Sequence, residues 1–305
     1  MAYNSPNALL KGIKANFAKL METIPNGTFD FATERIKSNS NEEKYWVPES
    51  LPGLKEWIDE RHFGDFTDDF LTVVNKDWDS GLTVDRNTID DSREFLGGNV
   101  EMWVKTLVTA YKDFPDQLLQ ADLTANGNAW DGTAFFATSR STIDTGSNTI
   151  DNLYTGTSST TYSYAEFEAD FVGAKTALLG FRDKNNRAMN KAAQLVALVP
   201  QHLEDLANQL LSDRADRIYD GTAEKSNIYK GTAEVMVNWE QTTTTDNDWY
   251  LINKRAPFKP FLIQDRKNVE WNVWDDKMSK MIKYGMDFRM GSALLNFFSI
   301  VKINN

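Results

Sequence analysis

Carboxylates are the side chains of this sequence whose spacing comes nearest to catalytic chemistry, and they stand in adjacent pairs: Asp68/Asp69, Asp90/Asp91 and Asp275/Asp276. Two carboxyls facing each other across a cleft could cleave a glycosidic bond, one as acid and the other as base or nucleophile. Adjacent acids usually cap a helix or hold a turn, and nothing around these pairs marks one member for an altered pKa. Nine tryptophans keep an acidic carbohydrate-active enzyme open as an alternative. Asp77, Asp79 and Asp85 resemble the opening of a calcium loop but lack its glycine and closing glutamate at the required offsets. The two histidines are His62, inside an acidic stretch, and His202, two residues after Pro200. For both, a surface or structural role is expected. There is no glycine-rich phosphate loop, no HExxH and no GxSxG. With no cysteine there is also no thiolate nucleophile, Cys-type zinc site or disulfide. The expectation is therefore no catalytic residue, no metal and no cofactor.

The elements that would position these groups follow no regular strand–helix alternation, so an α+β fold is predicted. Residues 7–23 carry Leu9, Leu10, Ile13, Phe17 and Leu20 at helical spacing, with Pro25 as a stop. Residues 26–43 are polar and aperiodic, as in an extended arm. Strands are expected at Tyr45–Val47, Phe70–Asn75 and Gly81–Asp85. Asp90-Asp91-Ser92 then starts the strongest element, a helix with Leu96, Val100, Trp103, Leu107, Ala110, Phe114 and Leu118 in register. Pro115 should kink or split it. Residues 141–163 read as an exposed loop, and a second helix spans 164–185. Leu195–Val199 is a buried-strand candidate, with a third helix opened by Pro200. Val235–Trp239 and Trp249–Ile252 are expected to pair around a Thr242–Thr245 tip. The aromatic-rich tail supplies further strands.

The net charge of −11 is unevenly spread. Residues 41–91 hold five basic against fourteen acidic groups, whereas residues 251–290 hold nine basic against five acidic. Overall acidity argues against tight binding to nucleic-acid phosphates, which needs clustered Lys and Arg. The acidic and basic segments could instead be complementary surfaces. Within the acidic segment, LPGLKEWIDERHFGDF (51–66) threads Trp57, Phe63 and Phe66 among Glu56, Asp59 and Glu60. Three aromatics are too many for an ordinary solvated loop. No stretch approaches the ~18 apolar residues of a membrane span, and a soluble protein is expected.

Several segments, taken in order, resemble the Mu-like phage major head subunit family. They are LPGLKEWIDER (51–61), LTVDRNTIDD (82–91), the Pro115-Asp116 pair in the long helix, Asp131-Gly-Thr-Ala-Phe-Phe136, KPFLIQDRK (259–267) and KYGMDFRMGSALLNFFSI (283–300). Ser139-Arg140 stands where the family has a His after the Phe-Phe pair, and Leu295-Asn296 where it has Trp-Gln. Both departures bear on local packing. The resemblance implies a capsid fold of the Hong Kong 97 type. It would have an N-terminal arm (1–43), an extended loop (44–80), a peripheral domain with a spine helix (81–125), a mainly axial domain (126–255) and peripheral C-terminal strands (256–305). It also implies a non-enzymatic subunit of a tailed double-stranded DNA phage head, located in the virion and assembled in the bacterial cytoplasm. The subunit would self-assemble as hexamers and pentamers into an icosahedral shell, with scaffolding, portal and decoration proteins as further partners. The DNA would be enclosed without specific binding, and no membrane partner is implied. On this reading Trp57, Phe63, Phe66, Glu56, Asp59 and Glu60 contact a neighbour, and Arg255, Lys259, Arg266 and Lys267 form the receiving basic surface. An encapsulin-like compartment of the same fold is the nearest alternative.

Overall fold

In the computed structural model, residues 6–47, 70–91, 93–140, 150–157, 162–183, 186–191, 193–212, 217–219, 224–241, 247–276 and 278–305 are described. Helix α1 (Pro6–Thr23) starts on a proline, whose missing N–H costs nothing in a first turn, and buries Leu9, Ile13 and Phe17 on one face. A 3-10 turn (Thr28–Ala32) leads to β1 (Thr33–Lys37), followed by β2 (Glu42–Trp46), β3 (Phe70–Val74) and β4 (Lys76–Asp85). The short helix α2 (Arg86–Asp91) precedes α3 (Arg93–Ala125), which at 33 residues is about 50 Å long. After β5 (Leu153–Thr155) come α4 (Tyr164–Gly180), β6 (Leu195–Pro200), α5 (Glu204–Leu211), β7 (Arg217–Tyr219), β8 (Glu224–Ser226), β9 (Ala233–Asn238) and β10 (Trp249–Asn253). The long hairpin β11 (Phe261–Asp276) and β12 (Met281–Leu294) and the last strand β13 (Ile300–Asn304) complete the chain.

Two sheets organise these elements. The first has the order β1-β11-β12-β4, with β1 parallel to β11 and the rest antiparallel. Its strands alternate. Trp78, Trp271 and Phe288 turn inward against α1 and α3, where Phe17 meets Trp271 edge-on at 5.3 Å and Tyr111 meets Phe288 at 4.9 Å. Asp77, Asp79, Glu270, Asn272 and Trp274 turn outward. The second sheet has the order β5-β13-β10-β6-β9. Its central strands β6 (LVALVP) and β10 (WYLIN) are buried at every position, because both faces are covered: Trp249 stacks on Phe167 of α4, and Tyr250 packs against Phe136 on the other side. Strands covered on both faces read as continuous apolar runs.

Several sequence expectations are corrected. The segments at 235–239 and 249–252 do not form a hairpin, since β6 lies between β9 and β10 and pairs with both. Loop chemistry at their junction marked a turn but not the strand inserted beside it. Residues 150–155 are not an exposed loop: Ile150 and Asn152 are buried, and β5 pairs parallel to β13. The last strand was expected with the other C-terminal strands in one domain. It pairs instead with β10 and β5 in the second sheet. Residues 26–43 are less an arm than part of the body, since β1 aligns with β11 from Thr33↔Phe261 to Lys37↔Asp265. Helix α3 runs through Pro115 without dividing. An interior proline costs ~3 kcal/mol, and tertiary anchors offset it here. Phe114, just before it, packs edge-on against Trp78 and Phe288, and Asp116, just after it, binds the backbone of Phe29. Leu107 is buried as its spacing requires, whereas Trp103 is only half-buried, edge-on to Trp271. Helix α3 ends at Asn126, which takes a left-handed conformation (φ 46°) and bonds the backbone N–H and C=O of Phe136 with its amide.

Candidate functional site

Among the described residues, each buried carboxylate is engaged in a structural contact. Asp131 forms a fully buried ion pair with Arg140 at 2.5 Å. Asp170 accepts the Tyr162 hydroxyl at 2.5 Å, and Asp183 accepts from Arg187 at 2.8 Å. Asp276 holds the tip of the β11–β12 hairpin by accepting from Met278 N and Ser279 Oγ, while Asp275 pairs with Arg86. Asp68/Asp69 and the side chains of Asp90/Asp91 lie outside the described residues, as does His62. His202 sits in the turn before α5, with Nε2 3.0 Å from Asn247 Oδ1. Asp77 and Asp79 project from one strand, where Asp77 pairs with Arg289 at 2.7 Å. No group of three metal-ligating side chains occurs among the described residues.

One carboxylate carries an unusual state. Asp116 is 6% exposed, and its two oxygens accept the Phe29 N–H at 3.2 and 3.3 Å. Burial pushes its pKa up to about 6, with the hydrogen bonds from Phe29 and Thr28 pulling the other way. Gly27 lies so close that a Cβ there would stand 2.4 Å from the carboxylate, so a larger residue would force the Asp116 side chain or residues 27–29 to shift. The pair fastens residues 27–29 to α3. Sequence reasoning noted Pro115-Asp116 only as a family mark and gave no sign of this bond, whose partners are 87 residues apart.

The residues expected to make intersubunit contacts fall into two sets. Trp57, Phe63, Phe66, Glu56, Asp59 and Glu60 lie outside the described residues. The ribbon on either side of them is described: β2 and β3 pair antiparallel from Glu42↔Val74 to Trp46↔Phe70, at the border of residues 48–69. One face of this ribbon buries Leu71 and Val73 and is moored by Tyr45, whose hydroxyl donates to Gln264 Oε1 at 2.7 Å. The other face leaves Phe70 42% and Val74 49% exposed. In the basic set, Lys259 donates to Thr33 O at 3.2 Å, Arg266 to Ser38 O at 3.5 Å, and Lys267 pairs with Glu270 (2.6 Å) and Asp287 (3.3 Å). Arg255 has an exposed side chain. Three of the four cations thus lean on their own subunit: β1 and the residue after it lie alongside β11 and supply the acceptors of Lys259 and Arg266, and the β11–β12 hairpin supplies those of Lys267.

The two departures noted in the sequence each have a packing role. Arg140 donates to Ala134 O (2.5 Å) and Phe135 O (2.6 Å), and its guanidinium lies 3.6 Å from the centre of the Phe297 ring. The Asp131-to-Phe136 motif thereby wraps one buried cation. Asn296 accepts Phe298 N and donates to Phe258 O at 2.7 Å, capping the turn before β13.

The architecture is that of phage capsid proteins. The chain aligns with the procapsid protein of bacteriophage JBD30 (TM-score 0.54, 17% identity, 99% of this chain and 76% of that one). It aligns similarly with the mature capsid protein of bacteriophage PhiM1 (TM-score 0.57, 8% identity, 92% and 87%). At these identities the likeness is one of fold. The sequence goes further: residues 7–166, just over half of the chain, match the family of the Mu-like prophage major head subunit gpT. The chain belongs to that family. A curated relative, the Mu-like prophage FluMu major head subunit of Haemophilus influenzae (strain Rd), is 29% identical over 133 residues, 43% of this chain. The match spans 42% of that relative's length.

Proposed function

We propose that this chain is the repeating wall subunit of a tailed double-stranded DNA phage head, that it closes into an icosahedral shell of hexamers and pentamers, and that it catalyses no reaction. The observation that carries the reading is the β2–β3 ribbon. A two-stranded ladder is marginal by itself. This one is moored to the body on one face and shows Phe70 and Val74 on the other, next to a stretch rich in aromatics and acids. A neighbouring copy would complete it, with Trp57, Phe63 and Phe66 as anchors and Glu56, Asp59 and Glu60 meeting exposed cations such as Arg255. A heterologous contact of this kind closes rings or extends a lattice.

In this assignment the four-stranded sheet with α1 and α3 is the peripheral domain, and the five-stranded sheet with α4 and α5 is the axial domain. Residues 44–80 are the loop that reaches the neighbour. Scaffolding, portal and decoration proteins would act on the same wall, and the subunit would reside in the virion. Purified protein in negative stain should form closed isometric shells or capsomers that assemble into them. A protein that stays monomeric over all assembly conditions, or one that hydrolyses glycosides, would overturn the reading.

A further inference from the structure

The half of the molecule built on the four-stranded sheet has two solvent faces of opposite charge. Its open sheet face carries Asp77, Asp79, Asp85, Glu270, Asp276 and Asp287 against Lys267, Lys283 and Arg289. The register places them together, since Glu270 faces Asp287, Asp287 faces Asp79, and Arg289 faces Asp77. Lys267 and Arg289 are already paired with carboxylates of that face. The opposite face is the helical layer, where α1 packs one side on the sheet through Phe17 and turns its other side to solvent. There Lys11, Lys14 and Lys19 are all exposed, Glu22 is the lone acid of the helix, and none of the three lysines makes an ion pair or hydrogen bond among the described residues. At 100° per residue they cover an arc of about 140° opposite Leu9, Ile13 and Phe17, and Lys11 and Lys19 stand about 12 Å apart along the axis. Ala15 and Ala18 lie between them, leaving the ammonium groups unobstructed.

The geometry points to the exposed face of α1 as the surface that meets enclosed double-stranded DNA, through Lys11, Lys14 and Lys19, with the acidic sheet face turned outward. This rests on the wall-subunit reading above. A duplex carries one negative charge per ~1.7 Å of axis, so a helix face 12 Å long always finds phosphates within reach, whatever the sequence. The opposite orientation would press uncompensated carboxylates against a polyanion. Three lysines per subunit give weak contacts that salt loosens, and neither a groove-reading helix nor a base-specific side chain is needed.

Lysine acetylation with acetic anhydride, mapped by mass spectrometry on DNA-filled heads and on emptied shells of the same protein, tests this. Lys11, Lys14 and Lys19 should be acetylated severalfold less in filled heads than in emptied shells, while Lys283 on the sheet face reacts equally in both. In heads of the Lys11→Gln/Lys14→Gln/Lys19→Gln variant, closed particles should form in normal yield, because those exposed side chains make no ion pair or hydrogen bond among the described residues. Equal reactivity of the three lysines in filled and emptied particles would overturn the inference. So would protection in both, which would mean that a protein partner covers α1, and so would fill-dependent protection of Lys283 instead. Failure of the unaltered protein to form any shell is a different result, and it would overturn the wall-subunit reading itself.

Discussion

The two sheets of this protein differ in what they leave uncovered. In the five-stranded sheet, β6 and β10 are buried at every residue, and the helices and the 129–136 segment close both faces. In the four-stranded sheet, β4, β11 and β12 bury one side under α1 and α3, while on the other side the β2–β3 ribbon covers only the part around Gln264 and Gly291, and the rest of that side and the ribbon's outer face are open. A half whose apolar surface is already spent on its own core can hold a shape. A half with open faces and an apolar ribbon edge has surface left for other copies and for whatever a shell encloses. Stability and assembly should therefore respond to mutation in different places.

The largest loss of stability is expected at the closed half. Asp131→Ala strands the fully buried Arg140 cation and should cost roughly 3–5 kcal/mol, giving insoluble or unfolded protein in a solubility and circular dichroism assay. Adding Arg140→Met should restore much of the loss, since the site is otherwise lined by Phe135 and Phe297. A soluble, fully stable single variant would show that the pair is not what holds this segment.

An intermediate effect is expected at Asp116, which fastens the chain before β1 to α3. Its folded pKa of about 6 lies above its ordinary value of 3.8, so the folded state holds the proton more tightly than the unfolded state does. Its contribution to stability is fully present below about pH 3.8 and is lost as the pH rises through about 6, up to about 3 kcal/mol in all. Asp116→Asn removes the titration. The melting temperature of the unaltered protein should fall relative to that of the variant between pH 5 and 7.5, and parallel curves would refute the assignment. Comparing the two proteins matters, because Asp122 and Asp265 are also raised by burial.

The smallest effect on the isolated subunit is expected on the open ribbon. Phe70→Ser with Val74→Ser replaces side chains that are nearly half exposed and should change monomer stability by no more than about 0.5 kcal/mol, while particle yield falls sharply. A drop of several degrees in the monomer's melting temperature would mean that the ribbon's outer face is covered within its own subunit.

Local periodicity made most of the helices and strands legible. Leu9, Ile13 and Phe17 gave α1 its buried face, the run Leu195–Val199 gave a buried strand, and the Leu107 register gave α3. Pairing partners were not legible, because neither the parallel match of β1 with β11 nor the insertion of β6 between β9 and β10 has a local signal. The same gap explains the basic segment. Nine cations against five acids looked like a free surface, but strand order brings Thr33, Ser38 and Asp287 to Lys259, Arg266 and Lys267. The alternation of Phe70-Leu-Thr-Val-Val74 did carry the ribbon's two-faced character. The three lysines of α1 were visible in the sequence, but only the packing of Phe17 on Trp271 fixes which way they face.

The claim that subunits complete one another through the loop beyond this ribbon is tested most directly by the Trp57→Ala/Phe63→Ala/Phe66→Ala variant, with two readings on one preparation. Truncating interface anchors commonly costs ~2 kcal/mol or more each, and the loss recurs at every equivalent contact of a shell. The account predicts an unaltered circular dichroism spectrum and melting temperature for the dilute subunit, together with few closed particles by sedimentation and electron microscopy. Normal particle yield, or a subunit that melts well below the unaltered protein, would contradict it.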